Sequence, residues 1–424
     1  MMPGRRARGL LGCAVALSAA GRLARAGEAA DEGADAGALD VKAALRSTLV
    51  VARAPDDPVL FPQRDNATSL WRFRLMAGVR ASDALRVDAA YEQRLVVWSG
   101  TPALAGLGVL PSDTPAPYRL IQLDGQVGAG ASYAWRHELD RLSVAYRSSQ
   151  LNATIGRQAV GWGRGTVFSA VDLFAPFSPL ELDREWRRGI DAVSAELTLT
   201  PQLSTDAVAA VGEDLDSSTF AARVRGYRDA FDFELIGGWR ARDVVAGVTS
   251  SAPVGDAELH GELAVFRAPE PLPAGGQLDD RVAIKALAGG SYRVGIGNGI
   301  LVIAEYHYSG FGAPRARDVP GLLADPRFAA RFTRGDTQIL GRHAIALVGS
   351  YEASPELELG LRWLQSPVDG SGVATPTATA RLSDRLAVLG ALYVPYGAAP
   401  SGPELRSEYG ATSLTGFVQL QASY

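Results

Sequence analysis

The sequence predicts an all-β protein: a transmembrane, antiparallel up-and-down β-barrel of about 18 strands, with 16 as the alternative count. Three observations carry this prediction. Segments of about 8–12 residues alternate apolar and polar side chains along most of the chain. Tight turn sequences and long polar stretches take turns in separating them. Finally, no run of about 20 uncharged apolar residues occurs, so a helical crossing is excluded.

Residues 1–26 have the build of a signal peptide. Arg5, Arg6 and Arg8 precede the apolar run Leu10 to Ala20, and Ala24-Arg25-Ala26 offers a small-x-small cleavage site. Leu10-Leu11-Gly12-Cys13 is a weak lipoprotein box, because too little apolar chain precedes the cysteine. Without Cys13, the single cysteine, the mature chain has no disulfide and no thiol chemistry. Residues 27–42 are acidic and rich in Ala and Gly, a flexible periplasmic lead, and the barrel is expected over 43–424. Removal of five Arg with residues 1–26 takes the net charge from −4 to −9, so there is no basic excess for nucleic acid. Lys occurs only at Lys42 and Lys285. The arginine bias fits either a GC-rich genome or a lumen lattice built from guanidinium forks.

Five segments illustrate the period of two. Trp71, Phe73, Leu75, Ala77 and Val79 oppose Arg72, Arg74, Met76, Gly78 and Arg80. Leu85, Val87, Ala89 and Tyr91 oppose Arg86, Asp88, Ala90 and Glu92. Phe231, Phe233, Leu235, Gly237 and Trp239 oppose Asp232, Glu234, Ile236, Gly238 and Arg240. Ala257, Leu259, Gly261, Leu263 and Val265 oppose Glu258, His260, Glu262 and Ala264; Leu357, Leu359, Leu361 and Trp363 oppose Glu358, Gly360, Arg362 and Leu364. A soluble sandwich also alternates, but its polar face need not carry full charges of both signs, as a wet lumen would.

Tight turns fall near Ser82-Asp83, Pro201-Gln202, Arg228-Asp229, Pro253 to Asp256, Ser354-Pro355 and Ser383-Asp384. Long connections fall near 55–67, 98–117, 159–189, 267–279, 310–340 and 395–411. Strand counts from the two ends disagree by one between 140 and 190. Reading Leu142 to Gln158 as one long strand gives 18; the alternative is a short strand hidden in 159–189.

At the C-terminus, Gly416, Val418, Leu420, Ala422 and Tyr424 alternate with Phe417, Gln419, Gln421 and Ser423. This resembles the terminal-aromatic assembly signal of outer-membrane barrels, with Tyr in place of the commoner Phe, and implies the barrel-assembly machinery as a partner. A second block runs Gly156-Arg157-Gln158, Gly161-Trp162-Gly163-Arg164-Gly165, Asp172 to Pro179 and Gly189-Ile190-Asp191-Ala192. It resembles a motif of porin-like outer-membrane barrels, the alginate-export-like and related uncharacterised families, over roughly 40 residues. The resemblance implies an outer-membrane barrel and leaves the solute open.

Within that block the prolines stiffen the chain, and Phe174, Phe177 and Trp186 can pack it down. Arg157, Arg164, Arg187 and Arg188 can pair with Asp172, Glu181, Asp183 and Glu185. The expected constriction loop is therefore 159–189, with Arg157, Gln158, Trp162, Arg164, Asp172, Pro176, Arg187 and Asp191 as its key residues. An outer loop packed on the rim is the other reading.

Gly125 to Gly130 and Gly295 to Gly299 open no helix after a strand, so nucleotide binding is not expected. His137, His260, His307 and His343 are scattered; His260 and His307 fall beside Glu258, Glu262 and Glu305, more simply a polar network than a catalytic or metal site. The acidic runs Glu213 to Asp216 and Asp279-Asp280 read as solvated loops. No enzymatic activity, cofactor or metal is expected.

The expected function is a porin-like channel or transporter for small polar or amphiphilic solutes. Its lining residues would be Arg72, Arg74, Arg86, Asp88, Glu92, Arg223, Arg225, Asp232, Glu234, Glu258, Glu262, Glu305 and Arg362. The alternative is a non-conducting barrel that serves as partner or export conduit of a periplasmic or inner-membrane machine. The expected surroundings are outer-membrane lipid and lipopolysaccharide; monomer and homo-oligomer both stay open.

Overall fold

A computed structural model describes residues 38–99, 108–111, 116–402 and 404–424. The expected signal peptide and residues 27–37 of the expected lead lie outside the described residues. The described residues form 19 strands. They are β1 (Leu39–Arg53), β2 (Asp65–Arg80), β3 (Leu85–Ser99), β4 (Asp124–Ala129), β5 (Tyr133–Arg147), β6 (Leu151–Gln158), β7 (Ile190–Thr200), β8 (Leu203–Ala210), β9 (Thr219–Arg228) and β10 (Phe231–Arg240). They continue as β11 (Asp243–Val254), β12 (Ala257–Arg267), β13 (Val282–Val294), β14 (Ile300–Ser309), β15 (His343–Ser354), β16 (Leu357–Gln365), β17 (Gly372–Ser383), β18 (Leu386–Tyr396) and β19 (Leu414–Ser423).

Eighteen of these close a barrel by antiparallel pairing of neighbours. The closure joins β1 to β19, from Ala44 opposite Ser423 to Arg53 opposite Leu414. The amide of Tyr424 then donates to the carbonyl of Ala43, and the amide of Ala43 to the carbonyl of Tyr424. Closure pairs the first and last strands of the wall with each other, so neither is left as an open edge, which is the condition for strands to lie in hydrocarbon.

The extra strand is β4. On one side β5 pairs with β3 along its length. On the other, its first residues pair with β4 and its last with β6. Strands β4 and β6 thus share one position in the wall. This corrects the reading of Leu142 to Gln158 as a single long strand: the chain turns at Ser148, whose amide donates to the carbonyl of Leu151. A serine turn with no Gly or Pro was the signal missed. The barrel also begins at Leu39, four residues before 43.

The apolar members of the five alternating pairs face outward, Trp71, Phe73 and Leu75 being exposed while Arg72 and Arg74 are buried inside. Two aromatic girdles ring the outer surface. Trp71, Trp135, Trp239, Tyr306 and Tyr396 lie toward the end with the long loops; Tyr146, Tyr227, Phe231, Tyr292 and Tyr424 lie toward the end with the tight turns. Leu235, Leu263, Leu359 and Val418 fill the band between.

At the loop end, the connection after β14 carries two short helices, α1 (Val319–Ala324) and α2 (Pro326–Arg334). The Asp325 side chain caps the start of α2, and Gly335 ends it in a left-handed conformation, φ 83°.

Candidate functional site

The site is the barrel lumen, and the segment 159–189 crosses it. Its two ends leave the wall at a clamp. The buried Arg157 holds Asp191 with two parallel contacts, Nε to Oδ1 at 2.7 Å and Nη2 to Oδ2 at 3.0 Å. Its Nη1 also donates to the Leu139 carbonyl at 3.1 Å. Asp191 Oδ2 in turn accepts from the amides of Leu120 and Ile121 at 2.9 and 3.0 Å. Gly156 makes this geometry possible: its φ is 113°, and an added Cβ would lie 2.3 Å from the Leu142 carbonyl oxygen. Gln158 completes the clamp, with its Nε2 donating to the Ala192 carbonyl at 3.0 Å.

Between its ends the segment is tied to strands all around the barrel. Glu262 on β12 accepts the amides of Arg164, Gly165 (2.9 Å), Ala170 (2.6 Å) and Val171 (3.3 Å), and the Ser169 hydroxyl at 3.0 Å. Glu305 on β14 accepts the amides of Thr166, Val167 (3.0 Å) and Phe168 (3.1 Å). The Ser169 amide donates to Gln338 at 2.8 Å. Arg164 reaches Asp232 at 2.7 Å and Glu234 at 3.1 Å. On the far wall, Arg362 Nη1 donates to the carbonyls of Pro179 and Glu181, both at 2.9 Å, and the Tyr393 hydroxyl to that of Leu180 at 2.9 Å.

Arg46 on β1 pairs with Asp183 and Glu185, and Asp183 also meets Arg72 at 3.3 Å. Trp186 lies beneath Arg46, Arg72 and Arg74, with ring distances of 4.2, 4.8 and 5.2 Å. Apolar packing completes the contact. Val167, Phe168, Val171, Leu173 and Phe174 share a core with inward residues of the wall such as Ile236, Val245, Phe266 and Leu287. Trp162 meets Phe174 edge-on at 5.0 Å, and Arg223 covers its face at 4.8 Å.

Around this loop runs a lattice of opposite charges. Glu92 takes Arg72 at 2.9 Å, Arg74 at 3.1 Å and Arg94 at 3.2 Å; Asp140 takes Arg74 at 2.8 Å and Arg119 at 3.4 Å. Across the lumen Arg223 bridges Asp206 at 2.7 Å and Glu234 at 3.1 Å, and Arg225 reaches Asp206 at 3.2 Å. Nearer the turns, Arg86 pairs with Asp88 at 2.9 Å, and Glu258 is exposed.

Some expected pairings differ. Of the expected pairs inside the loop, Arg187 meets Asp172, at 2.5 Å. Asp183 and Glu185 turn instead to the wall, because inward arginines of β1 and β2 stand where the loop passes. Arg157 and Asp191 sit in the wall itself, and Pro176 lies against Gly335 after α2. His260 lies 3.4 Å from Glu305, whereas His307 stacks on Phe168 at 5.1 Å. Sequence reasoning missed Arg46, Asp140 and Arg119, and also the buried Asp336, which gathers Arg240, Arg331 and Arg334 at 3.1, 3.2 and 2.5 Å. Arg46 and Asp140 lie in alternating strands, so the inward parity of those strands was the available signal.

No family model and no curated protein matches the sequence. Solved structures do. The fold is similar to Acinetobacter baumannii OccAB1, with a TM-score of 0.53 and 10% identity over 91% of this chain and 96% of that one. It is similar to Pseudomonas aeruginosa OccK9 (OpdG), with a TM-score of 0.52 and 12% identity over 91% and 98%. It is also similar to a BenF-like porin from Pseudomonas fluorescens Pf-5, with a TM-score of 0.50 and 12% identity over 91% and 98%. The fold is that of a porin. Within this porin fold, segment 159–189 is fastened to inward side chains of the wall.

Proposed function

We propose that this protein is an outer-membrane porin-like channel for small polar or amphiphilic solutes, with 159–189 as its constriction. The observation that carries the reading is the segment's course: it runs inside an 18-strand barrel and is fastened on opposite sides of the lumen, at Glu262 on β12 and at Arg46 on β1. A barrel of this size leaves room for an aqueous path beside a folded-in loop. Charges of both signs along the wall favour polar solutes without strong selection by sign.

The tight turns then face the periplasm and the long loops the exterior. The exposed Tyr424, under the Arg385 guanidinium at 4.9 Å, is the end offered to the assembly machinery. Lipid and lipopolysaccharide would meet the outer face between and above the girdles. The likeness of the 156–192 block to alginate-export-like barrels supports the same reading, since its Arg157 and Asp191 form the clamp.

Planar-bilayer recording on refolded protein tests the proposal. Discrete conductance steps are expected, with Arg225→Glu shifting the reversal potential toward cations. Silence from protein that is folded by gel mobility would reject the channel and favour the non-conducting conduit.

A further inference from the structure

Eight successive backbone amides, from residue 164 to residue 171, donate to side chains outside that stretch: seven to Glu262 and Glu305, and the eighth to Gln338. Such a run makes no helix or ladder of its own. It is a concave row of donors, an anion nest, filled here by two carboxylates of the wall.

Both carboxylates are buried, at 4% and 2% exposure for Glu262 and Glu305. Glu262 forms no ion pair with any cation among the described residues. Its charge is met by four amides and the Ser169 hydroxyl. Burial of a charge on these terms requires each donor to stay in place. The loop backbone is shaped to match. An added Cβ on Gly165 would lie 2.0 Å from the Phe168 carbonyl oxygen, and one on Gly163 would lie 2.3 Å from Ser169 Oγ and 3.0 Å from Glu262 Oε1.

We propose that Glu262 and Glu305 are positioning residues that set the bore: residues 164–171 form a carboxylate-binding nest, and occupancy by these two side chains holds the constriction in place. The proposal rests on the channel reading above for its consequence in conduction, but not for the nest itself. Gln in either position turns an amide N–H toward backbone N–H donors, so at least one bond per site is lost and two donors are brought into conflict. Glu262→Ala removes the anion and leaves a space that a small free carboxylate fits.

The test compares wild type with Glu262→Gln, Glu305→Gln and Glu262→Ala. Hydrogen exchange of amides 164–171 is read beside single-channel conductance, and folding is checked by the unboiled gel band. In the Gln variants those amides should exchange roughly 10- to 100-fold faster, the equivalent of one charge-assisted bond. The unit conductance should rise. Sodium formate should slow the exchange again in Glu262→Ala and lower its conductance, and leave wild type unchanged. Unchanged exchange in both Gln variants, or faster exchange with no formate effect in Glu262→Ala, would overturn the nest. Should the wall variants fail to fold, Ser169→Ala tests the same site from the loop side, with faster exchange expected and unchanged exchange counting against it. If wild type never conducts while exchange behaves as expected, the channel reading fails and the nest stands.

Discussion

Arg157 has an exposed side-chain fraction of only 1%, and its partner Asp191 of 15%, so the pair carries little solvent screening. Truncation of one member leaves the other charged in the wall. Arg157→Ala should therefore cost about 3–5 kcal/mol, read as a lower temperature at which the fast-migrating gel band is lost. Arg157→Lys should recover only part of that, since one ammonium cannot reproduce the fork. Glu408 offers a pH-dependent counterpart in the connection after β18. Its Oε1 accepts the Gly341 amide at 2.9 Å, and its own amide donates to Asp369 at 2.7 Å. Burial, with the Asp369 charge adding to it, pushes its carboxyl from 4.5 up to about 7. The fold therefore favours the neutral form. That contribution is complete below pH 4.5 and is lost as pH rises through about 7. Proteolysis of the 397–413 connection should accelerate across this window in wild type, whereas Glu408→Gln should remove the dependence.

Among the elements, β6 has the least ordinary backbone. Only Gly accepts φ 113° at position 156, and a side chain there would meet the β5 backbone. Gly156→Ala should cost about 1–3 kcal/mol in strain and loosen the point at which 159–189 leaves the wall. Thermal conversion of the folded band would show it, and an unchanged midpoint would place the strain elsewhere. The same element misled the strand count. A strand of eight residues after a polar turn carries too little alternation to separate from its neighbour, and β4, which completes its position, is a short strand paired with β5.

For the whole molecule, the outward band predicts its own sensitivity. Leu235 is 55% exposed near the middle of β10, between Trp239 and Phe231 in the two girdles. Leu235→Arg should cost about 2–4 kcal/mol in a bilayer and lower the yield of folded protein in membranes. Equal yields of Leu235→Arg and wild type in lipid would contradict a hydrocarbon-facing surface.

The period of two in segments such as 71–80 and 231–240 sorted outward from inward side chains, because a strand turns successive residues to opposite faces whatever its neighbours are; the charges of both signs on the polar face, and tight turns alternating with long loops, turned that pattern into a barrel. The strand total of 18 also followed, although by way of a merged strand where a hairpin stands. What alternation cannot specify is the partner of an inward charge. Arg46 meets Asp183 across 137 positions of sequence, and Arg362 meets the Pro179 carbonyl across 183. Those pairings depend on where the closed wall brings its inward faces and on the path of 159–189 between them. Local sequence specified the faces; only the closed barrel decided which charges meet across the lumen.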